Sequence, residues 1–538
     1  SGYAYNFYLA TGGALTNNGR IDTAYGIRPV ISLKHGATIG GGDGTATSPW
    51  TLGKYTISYN ANGGSGTMSN QTVYSGFEIS LSANSFTAPS GKILVGWNTS
   101  AEGSGVAYDP GQTVTDLTTS GSSITLYAQW GDPTLYDLVA TMSKGTQTAA
   151  DLQAVITKPT SSNPTTDTSN SGVYEYNSSV FGADSDGTLK DKSKAKIYYY
   201  RGILDSNLDD TSNSSYGSNG DGAYYPNYVK LGNTCWRIVR TTGSGGVKMI
   251  YNGLYSSGTT ANSCANAQDN AQITTIAFGS QGASAQSTWY YNISRIGYTY
   301  NATVDDSTTT TSVDTVFGSN SNYTTTNTTD SNIKDYLENT WFTSSNGISA
   351  YESILEPSAG YCNDRTAFSN QAGSTALTTI PPYATSSATM YFGSYSRNMY
   401  AGGKPSLTCP SSRNIVDLYT TASATNGNKQ LAKPIALLTA DEAALSGSGY
   451  SGRTTTTTYS SNYSYSSFLR SGSSFWLLSP YGRYPSGATS GSVLTLSGYL
   501  YYDLVYIPYG VRPAISLKYG TTPVSGTGIA TDPWVIAP

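Results

Sequence analysis

The chain has 538 residues and a formal net charge of −4, and only 12% of its residues are charged. No basic stripe occurs, so nucleic acid is not an expected partner, and no run approaches the ~18 apolar residues of a membrane helix. The length indicates about three or four domains, and the abundance of Tyr (46) and Gly (59) predicts small, β-rich cores.

Residues 1–52 repeat the end of the chain. Residues 25–34 differ from residues 509–518 at two of ten positions, and the match continues without a gap to Trp50 and Trp534. A repeat at a fixed offset indicates a repetitive architecture, so residues 1–52 are expected to be the C-terminal part of a preceding domain copy. That part lacks the earlier strands of its counterpart.

The apolar side chains of this partial copy must be buried against something. Either preceding residues of a longer polypeptide cover them, or a neighbouring subunit does so by strand complementation. The residues expected to make this subunit contact are Tyr25, Ile27, Arg28, Val30, Ile31, Leu33 and Trp50.

Residues 53–131 read as a separate unit of alternating strands with glycine-marked turns. Its characteristic pieces are residues 59–64, 96–99, 103–105, Tyr108 and 126–130. In this order they resemble the Listeria–Bacteroides repeat, the B-repeat type of internalin-like surface proteins. The resemblance implies a β-grasp-like spacer on a bacterial surface, and we expect Trp97 and Trp130 in its core beside Tyr59.

Residues 132–196 are predicted to form a helix and a linker. Leu135, Leu138, Val139 and Met142 have helical spacing, and residues 160–170 are a Ser/Thr/Asn-rich polar stretch.

Residues 197–538 are predicted to be one large domain. Strands are indicated at 197–202, 227–229, 235–240 and 247–253, with a hairpin turn at 243–246, and Asp330 or Ser331 is predicted to cap a helix. The markers at 199–202, 236–240, 362–365, 438–442, 476–480 and 510–513 resemble an uncharacterised domain repeated in surface proteins of low-GC Gram-positive bacteria. A more distant resemblance is to C-type-lectin-like folds, including the formylglycine-generating-enzyme type.

The predicted fold class is therefore mainly β with a few short helices (α+β). The domains form an array in which a β-grasp-like spacer joins larger lectin-like domains.

Four cysteines lie in the large domain: Cys235, Cys264, Cys362 and Cys409. No CxxC motif occurs and the chain has one histidine, so a zinc site is not expected. Two disulfides fit a secreted chain. We predict pairing in sequence order, Cys235–Cys264 and Cys362–Cys409; the two other connectivities and four buried thiols are the alternatives.

No catalytic residues are predicted. His35 is the only histidine, and its equivalent in the second copy is Tyr519, so a histidine-based triad is not expected. Asp441 and Glu442 are the nearest thing to paired carboxylates, but Thr439 makes them the start of a helix with a capping box. We expect no enzyme; a carbohydrate-active enzyme is the alternative.

No cofactor is predicted either. Asp205, Asp209 and Asp210 resemble the opening of a calcium loop, but Asp210 stands where an EF-hand needs glycine. An Asp/Asn-rich turn is the expected structure there, and a Ca²⁺ site is the alternative.

Arg28 and Arg512 lie in equivalent apolar strands, where a buried guanidinium needs partners for five donors. We predict bonds to backbone carbonyls or to an aspartate; a ligand-binding arginine is the alternative.

The region just before the duplicated stretch at residues 509–534 is rich in tyrosine, a residue that provides large amphipathic contact area at low entropic cost. The candidate binding surface is Tyr481, Tyr484, Tyr499, Tyr501, Tyr502 and Tyr506. Packing at a subunit contact is the alternative role.

The sequence therefore predicts a secreted, repetitive bacterial surface protein that forms or belongs to an extracellular fibre. Its partners are other copies of itself, arranged head to tail; nucleic acid is not a partner, and no membrane span is expected in these residues. The alternative function is an adhesin that recognises a host or environmental glycan or protein through the tyrosine-rich surface.

Overall fold

The computed structural model describes residues 5–20, 24, 26–33, 35–146, 171–178, 196–202, 204, 225–258, 261–264, 271–279, 296–304, 309–319, 322–370, 375–382, 389–399, 404–410, 414–421, 427–449, 467–483, 489–496 and 498–538. These residues divide into two compact units, residues 1–131 and residues 132–538. Strands predominate and the helices are short, which confirms the mainly β class. No helix within the described ranges is long and apolar enough to cross a membrane.

The described residues of the first unit contain eleven strands. They are β1 (Tyr5–Leu9), β2 (Leu15–Arg20), β3 (Ile39–Gly41), β4 (Thr51–Leu52), β5 (Lys54–Asn60), β6 (Gln71–Tyr74), β7 (Ile79–Ser80), β8 (Ile93–Asn98), β9 (Ala107–Tyr108), β10 (Thr113–Val114) and β11 (Ser123–Gly131). Five of them form one sheet in the order β6-β5-β11-β8-β9, and the others pair as β1-β2, β3-β4 and β7-β10. Only the β5–β11 pair of the five-stranded sheet is parallel.

The core of this unit forms because β5 alternates between buried and exposed residues, so one face of the sheet is apolar. Trp97 is fully buried there, with its ring centroid 4.8 Å from that of Tyr59. Trp130 is only half-buried at the edge of the core, where its Nε1–H donates to the carbonyl oxygen of Ala61 (2.8 Å). The expected core position is thus confirmed for Trp97 and is a rim position for Trp130.

The second unit contains the remaining strands and all the helices of the described residues. The strands are β12 (Ser143–Thr146), β13 (Gly172–Glu175), β14 (Tyr198–Arg201), β15 (Tyr228–Leu231), β16 (Thr234–Thr241), β17 (Val247–Leu254), β18 (Ser256–Gly258), β19 (Ala261–Ser263), β20 (Thr274–Ala277), β21 (Thr299–Tyr300), β22 (Thr311–Ser312), β23 (Thr329–Asp330), β24 (Tyr361–Cys362), β25 (Ala367–Phe368), β26 (Thr379–Ile380), β27 (Met390–Phe392), β28 (Leu418–Tyr419), β29 (Ile435–Ala436), β30 (Phe475–Arg483), β31 (Thr489–Leu494), β32 (Leu500–Leu504), β33 (Pro508–Val511), β34 (Ala514–Leu517) and β35 (Trp534–Ile536). The α-helices are α1 (Leu135–Thr141), α2 (Val313–Phe317), α3 (Tyr323–Thr326), α4 (Asn332–Asp335), α5 (Gly393–Met399), α6 (Asn414–Asp417) and α7 (Ala440–Leu445), with a π-helix at Tyr336–Trp341 and a 3₁₀-helix at Ser349–Ile354.

A nine-stranded sheet organises this unit. Its main order is β12-β13-β14-β16-β17-β34-β29, while β15 pairs with β16 and β35 pairs with β15. Every residue of β16 is buried, as expected for a strand covered on both faces. A seven-stranded sheet has the main order β20-β33-β30-β27-β25, with β31 on β30 and β32 on β31.

Part of the predicted linker belongs to this fold. Residues 132–146 and 171–178 lie in the second unit, where α1 packs on its core and β13 pairs with β14. Val173 in β13 is fully buried, so this strand is part of the core. The polar composition of residues 160–170 indicates a linker, but a short apolar strand follows them.

Two local predictions are confirmed. Ser331 is the N-cap of α4, accepting a hydrogen bond from the backbone N–H of Lys334 (3.2 Å). The disulfides are Cys235–Cys264 and Cys362–Cys409, with Cα–Cα distances of 5.7 Å and 5.5 Å.

Candidate functional site

The C-terminal segment, residues 489–536, is built into the core of the second unit. β34 lies between β17 and β29, with Ile515 opposite Met249 on one side and Ile435 on the other. Ile515 and Leu517 are fully buried. Because β34 has a neighbouring strand on each side, it is a central strand of the sheet, and its buried side chains complete the core.

Arg512 has the structural role predicted for it. Its guanidinium is buried and donates to the carbonyl oxygens of Tyr251 (3.0 Å) and Leu469 (2.6 Å) and to Oδ1 of Asn252 (3.1 Å). Burial, and then the neighbouring guanidinium of Arg237, lower the pKa of Arg512 to about 9. Polar acceptors thus hold this cation in the core, and its donors face inward.

The last strand closes against the disulfide region. β35 runs parallel to β15, with Trp534 opposite Val229. Just before it, the backbone N–H of Tyr228 donates to the carbonyl oxygen of Gly528 (2.8 Å), and that of Cys264 donates to the carbonyl oxygen of Ala530 (2.7 Å). These contacts bury Trp534 to 4% exposure.

The N-terminal segment, residues 5–52, has equivalent residues, but the strands that surround the C-terminal segment are not packed around it. Ile31, the equivalent of Ile515, is 82% exposed, and Ile27, the equivalent of Val511, is 92% exposed. Trp50, the equivalent of Trp534, is 65% exposed. Residues 26–33 have no secondary structure, and Arg28 among them is exposed. Val30 and Leu33 are also exposed, and Tyr25 lies outside the described residues.

The turns of the two segments are nevertheless alike. The N–H groups of Asp43 and Gly44 both donate to the carbonyl oxygen of Ser48 (3.0 Å each), as those of Thr527 and Gly528 donate to Asp532 (3.0 Å each). Gly44 and Gly528 both have positive φ (+83° and +80°), and a Cβ at either would lie within 2.8 Å of the following indole. Glycine is therefore required at both positions.

The preceding hairpins also correspond, which the sequence comparison did not show. Leu9 pairs with Leu15 in β1–β2, as Leu494 pairs with Leu500 in β31–β32. This alignment is one residue out of step with the offset of the later positions. A register shift between Asn6 and Tyr8, where β2 has one extra residue between Thr16 and Gly19, accounts for the difference. A bulge of this kind hides the relationship because it displaces all upstream residues by one.

The tyrosine-rich region forms a stack that is partly internal. Tyr481 and Tyr502 stack with ring centroids 3.9 Å apart, Tyr501 and Tyr502 with centroids 5.0 Å apart, and Tyr395 packs on Tyr481 at 4.3 Å. Tyr481 is 2% exposed, so its prediction as a surface residue is wrong; its ring packs against Tyr395, Tyr502 and Tyr391.

The outer end of this stack is open. Tyr501 is 40% exposed, and Tyr499 and Tyr506 are half-buried. Tyr484 lies outside the described residues. Tyr391 stacks on Tyr395 at 5.3 Å; both were missed, because they come from a distant part of the sequence and carry no local signal.

The carboxylates of Asp441 and Glu442 are occupied structurally. Glu442 accepts from the backbone N–H of Thr439 (3.0 Å) in a capping box, which confirms the predicted helix start. It also binds Arg240 (2.8 Å) and Lys248 (3.1 Å). Burial disfavours its charged form, but these two cations more than compensate and lower the pKa of Glu442 to about 2.

Asp441 belongs to the adjacent part of the same cluster. It accepts from Arg397 (2.9 Å), which also binds Asp364 (2.6 Å). Three cations and three carboxylates therefore balance. The cavity between them has a volume of about 20 Å³, enough for a single water.

Metal ligation has no support within the described residues. They contain no group of three or more His, Cys, Asp or Glu side chains placed to hold a metal ion. Asp205, Asp209 and Asp210, the proposed calcium ligands, lie outside them.

One family model matches the chain, and it covers part of the first unit. No curated protein and no solved structure matches, so the lectin-like resemblance of the large unit stays a prediction. Residues 55–129 match the Listeria-Bacteroides repeat domain, which confirms the resemblance predicted for residues 53–131 from their sequence.

Proposed function

We propose that this chain belongs to a repetitive extracellular protein of a bacterial surface, in which domains of the 132–538 kind alternate with Listeria–Bacteroides repeats to build a fibre. The repeat at residues 55–129 is typical of bacterial surface proteins. Two disulfides also favour an oxidising, extracellular location.

The observation that carries the fibre is the unequal burial of one sequence in two places. Ile515 is fully buried, whereas Ile31 is 82% exposed. This difference supports our proposal that the N-terminal segment corresponds to the end of a domain of the same kind. Domain, repeat and domain then alternate along one polypeptide sequence, as in other repetitive proteins.

The proposal assigns the chain no enzymatic role. The best candidate acids, Asp441 and Glu442, each hold arginine in an ion pair, and Glu442 also caps a helix. Both carboxylates therefore have structural partners, which supports a structural role for them.

The test is immunolabelling of intact, unpermeabilised cells of the source bacterium. One antibody is raised against residues 132–538 and another against residues 53–131. We expect both to label the same extended structures outside the cell, at alternating positions. Labelling that appears only after permeabilisation, or separate structures for the two antibodies, would contradict the proposal.

A second function is favoured by the open end of the tyrosine stack. Tyr501 offers an exposed ring that is backed by Tyr502 and Tyr481, and rigid tyrosines suit recognition. We propose adhesion to a glycan or protein through this surface. Tyr501→Ser should reduce binding to arrayed ligands, whereas Tyr519→Ser, equally exposed at 40%, should not. Equal binding of the ligands by the two variants would contradict adhesion through Tyr501.

A further inference from the structure

We propose that the N-terminal segment docks into a domain of the same kind as residues 132–483 whose own C-terminal segment is missing, and that it supplies the last strands of that domain. The inference rests on the proposed repetitive array and names the partner that its first domain needs. It is argued from the template that the chain itself contains.

The segment has the properties of an uncovered core strand. Ile27, Val30 and Ile31 are each more than 80% exposed and lie within five residues of one another. Apolar patches of this kind mark interaction sites in proteins. Their equivalents Val511, Ala514 and Ile515 are all fully buried.

The template defines what surrounds the segment once docked. Residues 30–33 replace β34 between counterparts of β17 and β29. Trp50 and Leu52 lie along a counterpart of β15. The turn before them is already formed, so docking needs little local reorganisation.

Two backbone carbonyls then acquire donors. The carbonyl oxygens of Gly528 and Ala530 accept from the N–H groups of Tyr228 and Cys264. Their equivalents in the N-terminal segment are Gly44 and Ala46. The partner must therefore present two matching N–H groups beside a disulfide that corresponds to Cys235–Cys264.

An intact second copy of the chain does not meet this requirement. In residues 132–538 the receiving position is filled by β33, β34 and β35 of the same unit. A second N-terminal segment would only exchange one set of contacts for another. The partner is thus a domain in which this position is vacant.

The side chains further specify that partner. Val30 replaces Ala514, and Ile27 replaces Val511, both at fully buried positions. Extra methyl groups in a packed core are destabilising, so the natural partner has smaller residues around these two positions than residues 132–483 have. The N-terminal segment should consequently bind the present large unit less tightly than the C-terminal segment does.

The experiment creates the vacant position in the full chain. A protease site is placed between Arg483 and Thr489, and the chain also carries Ile31→Asp so that its own N-terminal segment cannot dock. After cleavage in denaturant, the released C-terminal fragment is removed. A labelled peptide of residues 1–52 is then titrated during refolding, with a peptide of residues 489–538 as the positive control.

We expect the 1–52 peptide to bind the cleaved, depleted chain and not the uncut chain. Ile31→Asp in the peptide should weaken binding at least ~100-fold, because it buries an unpaired charge. Val30→Ala should strengthen it roughly 10-fold by relieving overpacking. His35→Tyr is the matched control and should change little, because its equivalent is the exposed Tyr519.

Two results overturn the inference. One is the absence of binding by peptide 1–52 at every concentration, although peptide 489–538 rebinds; the other is equal binding by the wild-type and Ile31→Asp peptides. Should the cleaved chain not refold with either peptide, a chimera with residues 25–52 in place of 509–536 decides. It should fold with both disulfides, and its Ile31→Asp version should not; a chimera that never folds refutes the inference. Neither assay depends on cell-surface location, so the proposed function can fail separately.

Discussion

The same substitution made in the two copies should destabilise the chain to very different extents. Ile515→Ala removes a fully buried side chain from a central strand, and Ile31→Ala removes its equivalent, which is 82% exposed. A buried Ile→Ala change costs about 2–5 kcal/mol through lost transfer energy and a residual cavity. An exposed change stays within about 0.5 kcal/mol. The two variants should therefore differ by several kcal/mol in the unfolding free energy of the chain.

Denaturant unfolding followed by tryptophan fluorescence measures this difference, because fully buried Trp236 and Trp476 report on the large unit. Val524→Ala, at a residue 66% exposed in the same unit, is the control for an ordinary surface change. The reasoning is refuted if Ile31→Ala lowers the unfolding free energy by more than about 1 kcal/mol, because residue 31 would then be buried within the isolated chain.

Three further predictions concern the stability of each unit. Reduction should destabilise the large unit by roughly 3–4 kcal/mol per disulfide in the chain-entropy description, and calorimetry should show the transition of the repeat unchanged. Trp97→Ala should cost about 3–5 kcal/mol in the repeat, whereas Trp130→Phe, which loses the hydrogen bond to Ala61, should cost about 1 kcal/mol; urea titration at 25 °C distinguishes them. The pKa of Glu442, lowered to about 2 from 4.5, implies stability that is present above pH 4.5 and lost as the pH falls towards 2, by about 3 kcal/mol. Glu442→Gln should abolish that slope in unfolding measurements between pH 5 and pH 2, and a slope retained by the variant would assign it to other carboxylates.

Local features of the fold were predictable from short stretches of sequence. The capping box at Thr439 and Glu442 needs only residues three apart, and the hairpin of β16 and β17 is marked by the intervening glycines, of which Gly245 has φ +80°. In such features the interacting groups are neighbours in the sequence, so the pattern of residues contains the whole interaction.

Non-local features of the candidate site were not predictable. Arg240 meets Glu442 across 202 positions of sequence, and Tyr395 meets Tyr481 because α5 and β30 pack together. Composition correctly drew attention to the tyrosines, but it could not separate the buried Tyr481 from the exposed Tyr501. That difference arises because the ring of Tyr481 packs against Tyr395 and Tyr502, and such contacts depend on the tertiary structure.

The duplicated segment contains both local features, which form in both copies, and non-local features, which form in only one. The turn at residues 43–48 and the hairpin of β1 and β2 form in both copies, because their hydrogen bonds join residues close in sequence. Residues 26–33 do not form a strand, whereas their equivalents in β34 do, because every partner of β34 comes from another part of the second unit. A stretch whose sequence forms a buried central strand in one place and lies exposed in another is missing its neighbours. The exposed Ile31 is therefore the observation on which the proposed partner domain rests.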